Sequence, residues 1–230
     1  MKAAVLVFPG SNCDRDLKRA FEQAGFSVDM VWHKDTKLPE GVDLVGVPGG
    51  FSYGDYLRCG AIAAQSPISG ALKSHADRGG YVFGVCNGFQ VLCEAGLLPG
   101  ALLHNNNQKF ICKNVYIKSE TDNSLVTNQV KTGAALKIPI AHGEGRFHAD
   151  EATLAEMKTN DQILFSYCDE NGSTDSAVNP NGSIENIAGV TNKTRNVFGM
   201  MPHPERAADL NLGNEDGRAL FESILAGVTA

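Results

Sequence analysis

The sequence predicts an α/β protein built on an open, mostly parallel sheet flanked by helices, with extra antiparallel strands. Three observations carry this expectation. Short apolar runs alternate with amphipathic stretches, the order that yields parallel strands joined by crossover helices. The runs are continuous in apolar character, as strands covered on both faces require. Several of them end in glycine-bearing turns, at Pro9-Gly10, Pro48-Gly49-Gly50 and Gly84 to Gly88.

Ala3 to Phe8 reads as the first strand. A helix follows, with Asn12 or Asp14 as its cap, Leu17, Ala20, Phe21 and Ala24 on one face, and Gly25 as its stop. Phe26 to Trp32 and Val42 to Val47 are the next strands, a helical region lies around Ala61 to Ala76, and Tyr81 to Val85 is another strand. A short helix is expected from Asn87 to Ala95, ended by Gly96. Phe110 to Ile117, Leu136 to Ala141 and Val197 to Met200 read as strands. Ser119 to Asn128 and Asn171 to Asn186 are polar and turn-rich and are expected to be surface excursions. The last helix is expected over Glu215 to Leu225 with Asn214 as cap. No boundary divides the chain, so residues 1–230 are expected to form a single domain.

Composition narrows the function. A net charge of −6 leaves no basic stripe for neutralising phosphates, which disfavours nucleic-acid binding. The apolar start gives way to Pro9 and Gly10 after six residues, too short for a membrane span or a signal-peptide core. Most of the six cysteines fall inside apolar, element-like segments, which fits free thiols and a cytoplasmic location better than a disulfide framework.

The chemistry centres on Gly84-Val85-Cys86-Asn87-Gly88, a Gly-x-Cys-x-Gly sequence between an expected strand and an expected helix. A tight turn there exposes the side chain at its tip. The N–H groups of the following helix favour a thiolate. Alone, the motif fits a small buried cysteine in a turn equally well.

A thiol attacking an amide needs a base, and the base needs an orienting group. Met201-Pro202-His203-Pro204-Glu205 supplies both types. The proline after His203 biases it toward extended geometry, and in extended chain His203 and Glu205 share a face. By itself His203 also fits an ordinary loop histidine. The oxyanion formed on attack needs preorganised donors. The backbone N–H groups of Asn87 and Gly50 are the candidates, Gly50 because it lies in the turn that ends a parallel strand.

Gly84 to Gln90, Pro48-Gly49-Gly50 and His203-Pro204-Glu205 resemble the class I glutamine amidotransferases, whose fold is flavodoxin-like. Gly49 to Arg58, Leu97 to Leu102 and His142-Gly143-Glu144-Gly145-Arg146 are similar to one branch, the glutaminase subunits of phosphoribosylformylglycinamidine synthase, and the likeness spans essentially the whole chain. It implies a catalytic triad of Cys86, His203 and Glu205, with Gln90 and Glu144 contacting glutamine. It implies no metal or organic cofactor in this chain. The expected partners are a large synthetase subunit that uses ATP and magnesium, and a small bridging subunit. His104 departs from the family pattern, where an arginine is expected.

Overall fold

The computed structural model describes residues 1–229. The first half runs β1 (Lys2–Val7), α1 (Asp14–Ala24), β2 (Ser27–Trp32), β3 (Leu44–Val47), α2 (Ile68–Asp77), β4 (Tyr81–Val85) and α3 (Asn87–Glu94). The second half adds β5 (Ala101–Leu103), β6 (Ile111–Ser119), β7 (Ala135–His142), β8 (Arg146–His148), α4 (Glu151–Thr159), β9 (Ile163–Cys168), β10 (Ile187–Thr191), β11 (Val197–Met200) and α5 (Arg218–Thr229).

One sheet has the order β2-β1-β3-β4-β11-β10-β9-β6-β7, and β5 and β8 form a separate pair. The strands from β2 to β11 run parallel, and those from β10 to β7 continue antiparallel. Val47 lies beside Gly84, and Met200 beside Val85. The carboxyl ends of β3, β4 and β11 therefore open at one place, the usual ligand position in such sheets. β7 reaches the same place, because the His203 N–H donates to the Pro139 carbonyl at 2.8 Å.

The apolar positions that mark the strands form one continuous core. Phe221 of α5 packs edge-on against Phe21 of α1 and Phe83 of β4, at centroid separations of 5.7 and 6.3 Å. Burying each such ring contributes roughly 1.5–3 kcal/mol. This packing fixes the helices that brace the strands on which the site is built.

Several local expectations need correction. Neither Asn12 nor Asp14 caps α1: Cys13 holds that position without a side-chain hydrogen bond, while Gly25 ends the helix in left-handed geometry as expected. α5 begins at Arg218, because Asn214 is used differently: its Oδ1 accepts from the Asp216 N–H and its amide donates to the Lys137 carbonyl. The two polar tracts are not purely superficial, since Ser119, Thr127, Asn181 and Ser183 are buried, and the side chains of Ser119, Asn181 and Ser183 donate to backbone carbonyls. Among the described residues no helix is long and apolar enough to cross a membrane.

Candidate active site

β4 delivers the chain into Cys86, whose backbone takes φ 50° and ψ −107° immediately before α3. A non-glycine residue held there costs about 1–3 kcal/mol, a strain typical of functional turns. The flanking glycines make the turn possible. A β-carbon on Gly88 would stand 1.9 Å from the Val47 carbonyl oxygen, and one on Gly84 would stand 2.9 Å from the Gly88 carbonyl. The motif thus brings α3 directly against the end of β3.

His203 and Glu205 follow β11. Their side chains are almost wholly buried, and His203 Nδ1 lies 2.6 Å from Glu205 Oε1. The pairing does not come from a fully extended segment. His203 is non-helical, as the following proline requires, but Pro204 to Ala207 form a single turn of 3-10 helix that swings the carboxylate back to the ring.

Gly49 marks where Cys86 and His203 meet. A β-carbon there would lie 2.7 Å from His203 Cε1 and 3.4 Å from both Cys86 Cβ and Cys13 Sγ. The Cys86 thiol is directed at the Ala141 carbonyl, 3.7 Å away, and His203 Nε2 is buried without a hydrogen-bond partner of its own. Sulfur and ring still interact through charge. Burial would push the His203 imidazole down, but the Glu205 carboxylate, and after it Cys86, outweigh burial and raise it to about 10. The arrangement favours an imidazolium beside the sulfur at neutral pH.

A cavity of about 160 Å³ opens beside Cys86 and is lined by Gly50, Gln90, His142 and Glu144 among others. A larger cavity of about 540 Å³ between α1 and α5 contains none of the candidate residues. Gly50 has φ 132°. Among the described residues neither its N–H nor that of Asn87 has a protein acceptor. Gly50 lines the cavity, and Asn87 directly follows Cys86 in the chain.

Gln90 is locked in place: the Asn87 amide donates to its Oε1 at 2.8 Å, and its own amide donates to the Glu144 carbonyl. Asn87 Oδ1 also accepts from the Ser52 N–H, which ties the segment after Gly50 to the Cys86 turn. Glu144 Oε1 pairs with His104 Nε2 at 3.0 Å, so the histidine that departs from the family pattern sits at the cavity rim. Arg146 bonds the His104 carbonyl and supports this loop from outside.

Composition and spacing alone assign no role to other groups found here. Asp55 and Cys59 line the cavity, and burial, with Glu144 contributing, raises both from their ordinary values. Cys13 lies beside this pair, its ligand atom within 4.8 Å of those of His203 and Glu205. A cation is disfavoured at this trio. Burial pushes the Cys13 thiol up to about 12, and Arg206 Nη2 stands 3.0 Å from its sulfur.

Residues 1–216 match the family described as CobB/CobQ-like glutamine amidotransferase domain. A protein of Ruegeria pomeroyi called phosphoribosylformylglycinamidine synthase subunit PurQ is 59% identical, with the similarity covering 100% of this chain and 99% of that one. A chain in the structure of PurLQS from Thermotoga maritima is 45% identical and superposes with a TM-score of 0.87, covering 99% of this chain and 98% of that chain. The glutaminase domain of Trypanosoma brucei CTPS, solved with acivicin, shares the fold at a TM-score of 0.63 and 14% identity, covering 100% of this chain and 94% of that one. The strained cysteine turn and the full-length likeness agree: the chain is a member of the CobB/CobQ-like glutamine amidotransferase family.

Proposed function

We propose that this chain is the glutaminase subunit of a phosphoribosylformylglycinamidine synthase and releases ammonia from glutamine through a cysteinyl thioester. The observation that carries the chemistry is the buried His203–Glu205 pair beside a positive-φ cysteine that lines a small cavity. The name of its 59%-identical relative supports the biosynthetic assignment.

In this reading the Cys86 thiolate attacks the side-chain carbonyl carbon of glutamine. A sulfur–carbon bond forms, and the carbonyl electron pair moves onto oxygen, held by the Gly50 and Asn87 N–H groups. As the adduct collapses, the carbon–nitrogen bond breaks and His203 gives its proton to the departing nitrogen. A glutamyl thioester remains. His203, now neutral, takes a proton from water as it adds to the thioester, and glutamate leaves with the thiolate restored. Glu205 stabilises the imidazolium and fixes which ring nitrogen faces the sulfur. Gln90 and Glu144 orient the amino-acid end of the substrate.

Ammonia released into neutral water becomes ammonium, which has no lone pair for attack, so direct transfer to a synthetase partner is required. The partners in this reading are a large subunit that uses ATP and magnesium to activate formylglycinamide ribonucleotide, and a small bridging subunit. The product is formylglycinamidine ribonucleotide, and this chain itself uses no cofactor.

The test is labelling with a diazo-ketone analogue of glutamine, followed by peptide mapping. Modification confined to Cys86 and suppressed by glutamine is the expected result. Labelling spread over other cysteines, or indifferent to glutamine, contradicts the reading.

A further inference from the structure

We propose that His142 is a specificity-determining residue of this glutamine site, its Nε2 lone pair accepting an N–H of the substrate carboxamide that the product carboxylate cannot offer. The proposal rests on the glutaminase reading above.

Asn105, fully buried, sets the geometry. Its amide nitrogen donates to the carbonyls of Lys109 and His142, at 2.8 and 2.9 Å, which fixes which end of the side chain is oxygen. That oxygen accepts from the Gly145 N–H at 3.1 Å and faces His142 Nδ1 at 3.0 Å. A carboxamide oxygen only accepts, so Nδ1 carries the proton and Nε2 keeps its lone pair. The ring is seated against Gly145, where a β-carbon would come within 2.3 Å of it.

Nε2 is buried and has no partner among the described residues, although His142 lines the same cavity as Cys86 and Gln90. A buried acceptor left unmatched by the protein calls for an explanation, and a ligand N–H supplies one. Burial, reinforced by the charge on His203, holds the His142 imidazole down to about 4, so it stays an acceptor at neutral pH.

The two histidines are thus complementary. His203 offers a proton to the leaving nitrogen, while His142 accepts a hydrogen already on it. Glutamate in the same place opposes lone pair to lone pair. A site whose polar group is matched only by the correct ligand discriminates strongly against one lacking the hydrogen.

The experiment measures how well glutamine and glutamate each protect Cys86 of the intact chain from diazo-ketone labelling. In His142→Leu, glutamine protection is expected to weaken at least tenfold while glutamate protection holds or tightens. His142→Gln retains an acceptor and is expected to recover part of the lost preference. Equal weakening for both ligands indicates a merely structural role and overturns the assignment, as does a preference within twofold of wild type. If His142→Leu fails to fold, His142→Asn, polar but shorter, is read in the same way against His142→Gln. Absence of glutamine-protected labelling in the wild-type chain overturns the functional reading, and this one with it. Normal labelling with an unchanged preference overturns this assignment alone.

Discussion

Glu205→Gln separates charge from shape at the heart of the site. The side chain keeps its size and can still accept a hydrogen bond from His203, but it no longer carries the charge now 2.6 Å from Nδ1. Opposite unit charges at that distance attract by about 6 kcal/mol at an effective dielectric constant of about 20. A retained neutral hydrogen bond returns about 1 kcal/mol. The difference corresponds to roughly three to four orders of magnitude in the stability of the imidazolium, at about 1.4 kcal/mol per factor of ten. His203 then falls from about 10 to the neighbourhood of its ordinary value, with burial and Cys86 opposing each other. The assay is the rate of Cys86 alkylation by the glutamine-analogue diazo-ketone across pH. Wild type is expected to keep its imidazolium up to the neighbourhood of pH 10. The variant is expected to react at least a hundredfold more slowly at neutral pH, since about 2.7 kcal/mol of lost transition-state stabilisation suffices for that factor. Alkylation within threefold of wild type, with the same pH dependence, refutes the role assigned to the pair.

The same raised value has a consequence for stability. Because the folded value lies above that of the unfolded chain, His203 contributes stability that is complete below about pH 6.5 and lost as pH rises through about 10; denaturant melts of wild type and His203→Gln are expected to converge over that window. Gly88→Ala forces a β-carbon onto the Val47 carbonyl, so a large fall in melting temperature or insoluble expression is expected, and a melting point within 2 °C of wild type, about the effect of 1 kcal/mol or less in a domain of this size, contradicts the close approach. Asp209 is held down to about 2 by the Asn211 N–H, then by Gln23 and Arg19. Its contribution is full above the ordinary carboxylate value and lost as pH falls through about 2. Asp209→Asn is therefore expected to lower the melting point at pH 7 and to matter little near pH 2.

The local geometry of the candidate site was more legible in the sequence than the frame around it. Cys86 between two glycines and His203 two residues from Glu205 are local patterns, and local patterns dictate local geometry: the turn needs Gly84 and Gly88, and Pro204 keeps His203 out of helix. Gly50 could be placed because a parallel strand must end near a ligand site. What sequence could not reveal depends on distant segments meeting. Cys13 reaches His203 and Glu205 only because α1 starts beside Gly49, the Cys13 N–H donating to the Gly49 carbonyl. His142 sits at the end of β7, and its orientation is set by Asn105 in the loop between β5 and β6. α4 escaped notice because its burial is sparse, with Leu154 and Met157 alone inside, although Asp150 caps it through a 2.7 Å bond from the Thr153 N–H. The antiparallel extension of the sheet could be sensed in the strand-rich later half. Its pairing order required the fold.

The central claim, that the Cys86 sulfur frees ammonia for use elsewhere, is tested most directly by Cys86→Ala assembled with its synthetase partners. Product formation is measured twice, with glutamine and with an ammonium salt as the nitrogen source. Loss of the glutamine-driven rate with the ammonium-driven rate intact is the predicted result. Glutamine-driven synthesis that survives without the thiol contradicts the account.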